Sequence, residues 1–351
     1  MLLVILIIIV SEKLVFREIV MKINVFIVPI ATTFILTACA GGGASEPKVP
    51  VAIPTAQPIA NVKLSDESSA VQTINTLSGK GGSLHEAELE VKTSWGFSYT
   101  EKQYVYQTPS GNYYNISSYS DPIVPDSFSP SYALRTRHEG QPLSEGGKLF
   151  VCCSSSGQFT YAPATKQDHL KFGAWISSDG TADLFVGGKP VGTAKPSYYT
   201  PSDSKEAKGK TTYEVWAVRV RNGNIVTSTY EPKNTNKLSE KIAPKLSLLT
   251  ANFNTNKLGG TILGNADYGP DVVMKDVGIN GVDFSGTAES DGKNGKVEGK
   301  FFGQFNGDQS EVSIGGKVTF DADKSLDTVF GGVKNSSDRD TKDTSLTPVI
   351  Q

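Results

Sequence analysis

Apolar and polar residues alternate with period two through much of the C-terminal third of the chain. Val297, Gly299, Phe301, Gly303 and Phe305 are interleaved with Lys296, Glu298, Lys300, Phe302 and Gln304. Val312, Ile314, Gly316, Val318 and Phe320 are interleaved with Glu311, Ser313, Gly315, Lys317 and Thr319 in the same way. Such spacing lays one face of a strand on a core and leaves the other in solvent. Similar runs at 246–253, 258–264 and 282–288 are separated by NTNK, SDGKNG and NGDQ, which carry turn chemistry. The pattern predicts Val297, Phe301, Phe305, Val312, Ile314, Val318 and Phe320 inside, with Lys296, Glu298 and Lys300 outside. Sixteen of the 35 glycines fall between 246 and 334. Inward glycines weaken a flat sheet but suit strands that bend sharply around a narrow interior. Residues 246–334 are therefore expected to close a self-contained antiparallel barrel.

Upstream the chain also reads as β, with a different texture. Trp95, Trp175 and Trp216 sit in the strand-like runs TSWGFSY, FGAWISS and YEVWAVRV, and are predicted to be core residues. DGTADLFVGGKPVG reads as a hairpin, and 108–147 is rich in Pro, Ser, Tyr and Gly with little periodicity. One short helix is predicted over 66–77, with Ser65 as cap, acids in the first turn, and Val71, Ile74 and Leu77 on one face. The stretch 41–65 carries Pro47, Pro50, Pro54 and Pro58 among small residues and reads as a tether, and 335–351 reads as a mostly disordered tail. The fold class is all-β. The expected layout is a signal segment over 1–38, a tether over 39–65, a β-rich ligand-binding domain over 66–240, a barrel over 241–334, and the tail.

The first of three cysteines decides the compartment. Cys39 follows Leu36-Thr37-Ala38, behind a short apolar run that begins after Lys22. That is the order of a secretory signal, and the cysteine at the cut resembles a bacterial lipobox, which makes it the lipidation site. A transmembrane helix is the competing reading, but the apolar run is shorter than the roughly 20 residues a span needs. Met21-Lys22 reads as the natural start, so residues 1–20 are expected to lie ahead of it. Ala40 and Gly41, in place of an acidic residue, favour the outer membrane under the sorting rule for such lipoproteins. A net charge of −2 provides no electrostatic case for nucleic acid.

Chemistry is sparse. The three histidines, His85, His138 and His169, lie in unrelated contexts, and SGKGGS at 78–83 lacks phosphate-loop spacing. No catalytic residue, no metal site and no cofactor is expected, with heme entering only as cargo of a protein ligand. Cys152 and Cys153 would be the remaining thiols of a protein in an oxidising compartment. Adjacent Cα atoms are about 3.8 Å apart, short of the usual disulfide range of roughly 4.4 to 6.8 Å. The pair is either a vicinal disulfide or two small residues of a strand. Seven of the thirteen tyrosines lie between 99 and 132. Tyr99, Tyr104 and Tyr106 alternate as sheet residues do. Tyr113, Tyr114, Tyr119 and Tyr132, with Arg135, have the composition of a protein-binding surface. A loop packed on its own aromatics would read the same way. KPSYYTPS at 195–202 is a second candidate, and His138 or Tyr132 would serve a heme role if there is one.

The segments LLTANFNTNKLGGTILG, VDFSGTAES, GKVEGKFFGQFNGDQSEVSIGGKVTF and TVFGGVK are similar to the C-terminal barrel of the transferrin-binding protein B superfamily. Phe301, Phe302, Gly303, Glu311, Gly315 and Gly316 occupy its pattern, and Val329-Phe330-Gly331 resembles its terminal strand. The resemblance implies an N-terminal handle or sandwich-like domain, then an eight-stranded barrel, on a surface lipoprotein of Gram-negative bacteria exported by a dedicated translocon. A single handle-plus-barrel unit on a lipid anchor most resembles the haemoglobin–haptoglobin utilisation branch. That branch implies capture of host haemoglobin or haemoglobin–haptoglobin beside a TonB-dependent outer-membrane receptor. A hemophilin-type heme carrier and a factor H-binding lipoprotein are the alternatives of similar size.

Overall fold

The period-two pattern folds as strands throughout a computed structural model that describes residues 53–93, 95–116, 135–152, 170–191, 208–231, 244–303 and 312–349. Cys39 and the tether up to residue 52 lie outside these. The upstream strands are β1 (Lys63–Leu64), β2 (Gln72–Asn75), β3 (Ser83–Lys92), β4 (Ser98–Gln107), β5 (Tyr113–Asn115), β6 (Arg137–His138), β7 (Gln141–Pro142), β8 (Lys148–Cys152), β9 (Leu170–Ile176) and β10 (Ala182–Gly188). The downstream strands are β11 (Lys210–Arg221), β12 (Asn224–Thr227), β13 (Ser247–Asn252), β14 (Lys257–Ile262), β15 (Val272–Asn280), β16 (Asp283–Ser290), β17 (Lys293–Phe302), β18 (Ser313–Thr319) and β19 (Thr328–Asp338).

Eight of these, β11 and β13 to β19, close an antiparallel barrel in which β11 pairs with β13 on one side and β19 on the other. The segment 246–334 is thus not self-contained. It supplies seven strands, and the eighth comes from upstream of it. Inside, Val297, Phe301, Val312, Ile314, Val318 and Phe320 are buried as the alternation requires, with Lys296 and Glu298 exposed and Lys300 half-buried. Phe305 lies outside the described residues. Phe284 and Phe301 meet edge to face at 5.7 Å between centroids, so aromatic rings fill the narrow interior. Arg219 is buried too. Its Nε donates to Thr328 Oγ1 at 2.7 Å, Nη1 to the Tyr268 and Pro270 carbonyls, and its guanidinium lies 4.0 Å over the Tyr268 ring.

A five-stranded sheet, β2-β10-β9-β8-β7, packs on the outside of this barrel, and a four-stranded sheet, β1-β3-β4-β5, packs on its other face. Two cores hold the layers together. Phe172, Leu184 and Val186 meet Trp216, Val218 and Val329 of the barrel wall, while Tyr106, Tyr114, Trp175 and Phe185 lie between the two sheets. The glycine pairs of the barrel serve both sides of its wall. A Cβ on Gly331 would sit 2.4 Å from Phe172 Cδ1 of the covering sheet, and one on Gly332 would meet Val215 Cγ1 at 2.5 Å.

Two sequence expectations fail here. Residues 66–77 form a 3-10 turn at Ser68–Ala70 followed by strand β2, in place of a helix. The Ser65 hydroxyl donates to Glu86 at 2.7 Å and caps nothing, and β2 completes the edge of β10 from Asn75↔Phe185 to Gln72↔Gly188. An open sheet edge outweighs a weak helical propensity. The tail is ordered up to residue 349. It folds back on the barrel wall, where Asn252 Nδ2 donates to the Asp343 and Ser345 carbonyls, Lys210 pairs with Asp343, and Leu346 covers Gly259. The Asp340, Asp343 and Ser345 carbonyls and the Asp343 carboxylate find donors on the wall, which a composition-based reading as disorder overlooks.

Candidate functional site

Strands β3 and β4 pair over their whole length, from Ser83↔Gln107 to Lys92↔Ser98. Their neighbours are shorter. β1 meets β3 only at Ala87 and Glu88, and β5 meets β4 only at Val105, Tyr106 and Gln107. Beyond those pairings Leu89–Lys92 and Ser98–Glu101 continue as a two-stranded ribbon about 15 Å long. The sequence explains why the ribbon stands apart. Glu90, Lys92, Thr100, Glu101 and Lys102 put charge or hydroxyl on both of its faces, which suppresses further sheet growth at the edges.

The ribbon closes in a tight turn. Thr93 N–H donates to the Phe97 carbonyl at 2.8 Å, the Thr93 hydroxyl accepts from Phe97 N–H at 3.1 Å, and Gly96 takes a left-handed φ of +82°. Nothing lies within 4 Å of where a Gly96 side chain would project. At this tip Trp95 is 86% exposed, Phe97 74% and Tyr99 50%. Single exposed apolar residues are ordinary, but three large rings clustered on a projecting turn mark a contact surface. Trp and Tyr are also the side chains that anchor protein interfaces. Trp95 is therefore not a core residue. Among the described residues, the turn at the far end of this ribbon has no second layer to pack against, whereas Trp175 and Trp216 are buried in the layers.

Charge fixes the ribbon's root. Glu67 accepts from Lys102 at 3.0 Å and from Lys189, and these ammonium groups hold its carboxyl down at about 2. Lys189 also reaches Glu86 at 2.8 Å, and Lys63 pairs with Glu88. The network ties β3, β4 and the end of β10 together below the free part of the hairpin.

Those residues singled out from sequence that are described lie elsewhere. Tyr114 is fully buried, paired across the strands with Tyr106, and has no surface to offer a partner. Tyr113 is half-buried, edge-on to His85 at 5.7 Å. Both sit at the root, roughly 20 Å along β4 from the aromatic tip. Arg135 is exposed, and its carbonyl accepts from the Thr227 hydroxyl at 3.2 Å. His138 is buried against the Phe150 ring at 4.4 Å, with Nε2 3.1 Å from Thr227 Oγ1, a packed position rather than an open one. Tyr119, Tyr132, Cys153 and the 197–200 tyrosines lie outside the described residues. Cys152 is buried in β8 and disulfide-bonded, and its partner lies outside the described residues. Trp95 and Phe97 were legible in one respect. Glu90, Lys92, Thr100 and Glu101 flank the WGF turn with charge and hydroxyl, a composition that argues against a covering layer there.

A family model described as "HpuA: Haemoglobin-haptoglobin utilisation, porphyrin transporter" matches residues 102–349. This chain belongs to the HpuA family. Among solved structures, the apo haemoglobin receptor HpuA from Kingella denitrificans is 32% identical, with 86% of this chain and 100% of that chain covered at a TM-score of 0.72. HpuA from the same organism in complex with human haemoglobin is also 32% identical, covering 85% and 100% at a TM-score of 0.72. No curated protein matches the chain. The HpuA family match begins at Lys102 inside β4, so the tip that carries Trp95, Phe97 and Tyr99 precedes it.

Proposed function

We propose that this protein captures host haemoglobin, free or bound to haptoglobin, at the bacterial surface and presents it to a TonB-dependent outer-membrane receptor for extraction of heme iron. One observation carries the reading: a relative that is 32% identical over 85% of this chain binds human haemoglobin as an HpuA. The mechanism is affinity and tethered presentation, with no bond chemistry. Lipidation at Cys39 would anchor the chain in the outer membrane, and holding the captured protein beside the receptor raises its effective concentration there. A surface lipoprotein translocon would deliver it.

The aromatic tip is the surface we assign to capture. Three rings on a ribbon that stands clear of the body can enter a shallow depression on a folded partner, and a Trp keeps few rotamers to lose on binding. The test is direct. Soluble protein beginning after Cys39 is passed over immobilised human haemoglobin and, separately, haemoglobin–haptoglobin. Saturable binding to either is the expected result. A flat response to both, from protein that melts cooperatively, would reject the function.

A further inference from the structure

Lys189 stands where the three β layers meet. It follows β10, the strand of the five-stranded sheet that ends at Gly188. Its carbonyl accepts from Gly303 N–H at 3.0 Å, and Val191 N–H donates to the Phe301 carbonyl at 3.0 Å. Pro190 bridges Phe302 between those bonds, and the Val191 side chain is buried in the barrel core. The main chain at 189–191 is therefore stitched to the end of β17. The side chain runs the other way. Its ammonium meets Glu86 on β3 at 2.8 Å and Glu67 beside the 3-10 turn, and the Tyr104 hydroxyl on β4 hydrogen-bonds the Lys189 main chain.

The two carboxylates hold with different firmness. Lys189 and Glu86 keep only 13% and 10% of their side chains exposed, and the Ser65 hydroxyl takes the other Glu86 oxygen. Burial works against the Lys189 charge, but the bonds to Glu67 and Glu86 outweigh it and raise the ammonium above the ordinary lysine range. Glu67 and its second partner Lys102 are each about half exposed, so that outer pair adds little by itself. It does extend the contact outward along β4.

Two attachments fix an angle where one permits a pivot. The four-stranded sheet is held at its inner end by Leu84, Tyr106 and Tyr114, in the core shared with the five-stranded sheet. The second attachment is the Lys189 clamp, which begins two residues further out at Glu86. From Glu86 to Trp95 the chain runs nine residues, or about 30 Å. A rotation of about 10° at the root would swing the aromatic tip about 5 Å, further than a carbon–carbon contact distance of about 4 Å.

We infer that Lys189 is the positioning residue of the capture surface: joined to the barrel by its main chain and to the ribbon's root by its ammonium, it sets the angle at which Trp95, Phe97 and Tyr99 are presented. The role in capture rests on the tip being the haemoglobin-binding surface, whereas the mechanical link does not.

Lys189→Met alone would strand Glu86 as a buried unpaired charge and lower stability for that reason. Lys189→Met combined with Glu86→Gln removes the charge pair and keeps a polar group for Ser65. Spin labels carried on an unnatural ketone amino acid take the place of the exposed Glu90 on the ribbon and Thr287 on the barrel wall, in soluble protein beginning after Cys39. Pulsed dipolar EPR then reads the distance between them. A narrow distribution is expected with Lys189 and Glu86 in place, and one at least about twice as wide in the double variant. A ribbon that keeps its native angle about one tenth of the time binds about tenfold more weakly, which immobilised haemoglobin measures on the unlabelled proteins. A clamp that merely stabilises would lower the melting temperature and leave the distribution as narrow as before, and that result would overturn the inference. So would a broadened ribbon with undiminished haemoglobin affinity. Absence of haemoglobin binding by the unaltered protein would reject the capture reading instead, and broadening in the double variant would still support Lys189 as the link.

Discussion

Replacing Trp95 with alanine separates capture from folding more cleanly than any other change. An aromatic side chain buries about 150 to 250 Å² when fully enclosed. With Trp95 86% exposed, roughly 170 Å² remains for a partner to cover, which at about 25 cal/mol per Å² corresponds to an upper figure of about 4 kcal/mol. Ordering the ribbon and desolvating polar neighbours take back part of that. The expected net loss in Trp95→Ala is at least about 2 kcal/mol, or roughly 30-fold in haemoglobin affinity. Stability should not move, because the ring packs on nothing in the fold. The assay is biolayer interferometry on immobilised haemoglobin, paired with a melting curve on each preparation. Phe97→Ala should weaken binding in the same direction. Haemoglobin affinity within about twofold of wild type in a Trp95→Ala, Phe97→Ala double variant would refute the assignment of the tip.

Tyr114→Ala should behave in the opposite way, losing about 3 to 5 kcal/mol of stability from a buried aromatic site while any folded fraction keeps its affinity, as denaturant melts with parallel binding would show. Arg219→Leu strands several buried acceptors of the barrel and is expected to cost at least about 3 kcal/mol, read as a lower urea midpoint. The tail contact at Asp343 is acid-sensitive. Lys210 holds this carboxyl at about 2 against an ordinary 3.8, so its contribution is present above pH 3.8 and lost as pH falls toward 2. Amide exchange over 340–349 should therefore accelerate through that window in wild type, and Asp343→Asn should flatten the dependence.

The parts of the fold visible in the sequence are those with one dry face and one wet face. β17 alternates cleanly from Lys296 to Glu298 because its inner side chains meet the barrel core while Lys296 and Glu298 face water, whereas in β18 the inward positions hold but Ser313 and Gly315 on the outer face are buried as well, under the covering sheet. β11 was not recognised as a barrel strand because it is buried on both faces. Val215 and Ala217 point into the barrel, Trp216 and Val218 meet the covering sheet, and the alternation disappears. The site was less legible still. Tyr113 and Tyr114 share loop-like composition with a binding surface, but pairing with β4 turns one of them wholly inward, and pairing cannot be read from composition. Trp95 looked like a core tryptophan because strand propensity carries no information on whether a second layer exists to cover the strand.

Closure of the barrel by β11 has a consequence for timing. Lys210 must meet Asn252 on one side and Asp338 on the other, so the second seam joins residues about 130 apart in the chain. Closing so long a loop is entropically costly, and contacts of this range make folding slow. Until β19 has been synthesised, both β11 and β18 present unpaired edges of the kind that recruit foreign strands. At about 5 to 20 residues per second, the ribosome leaves β11 waiting on the order of 10 s for its second neighbour. During that interval the nascent chain has no finished barrel. Any machinery that must thread it through a membrane meets an open chain, and a stop codon even shortly before residue 328 would leave the protein without its seam.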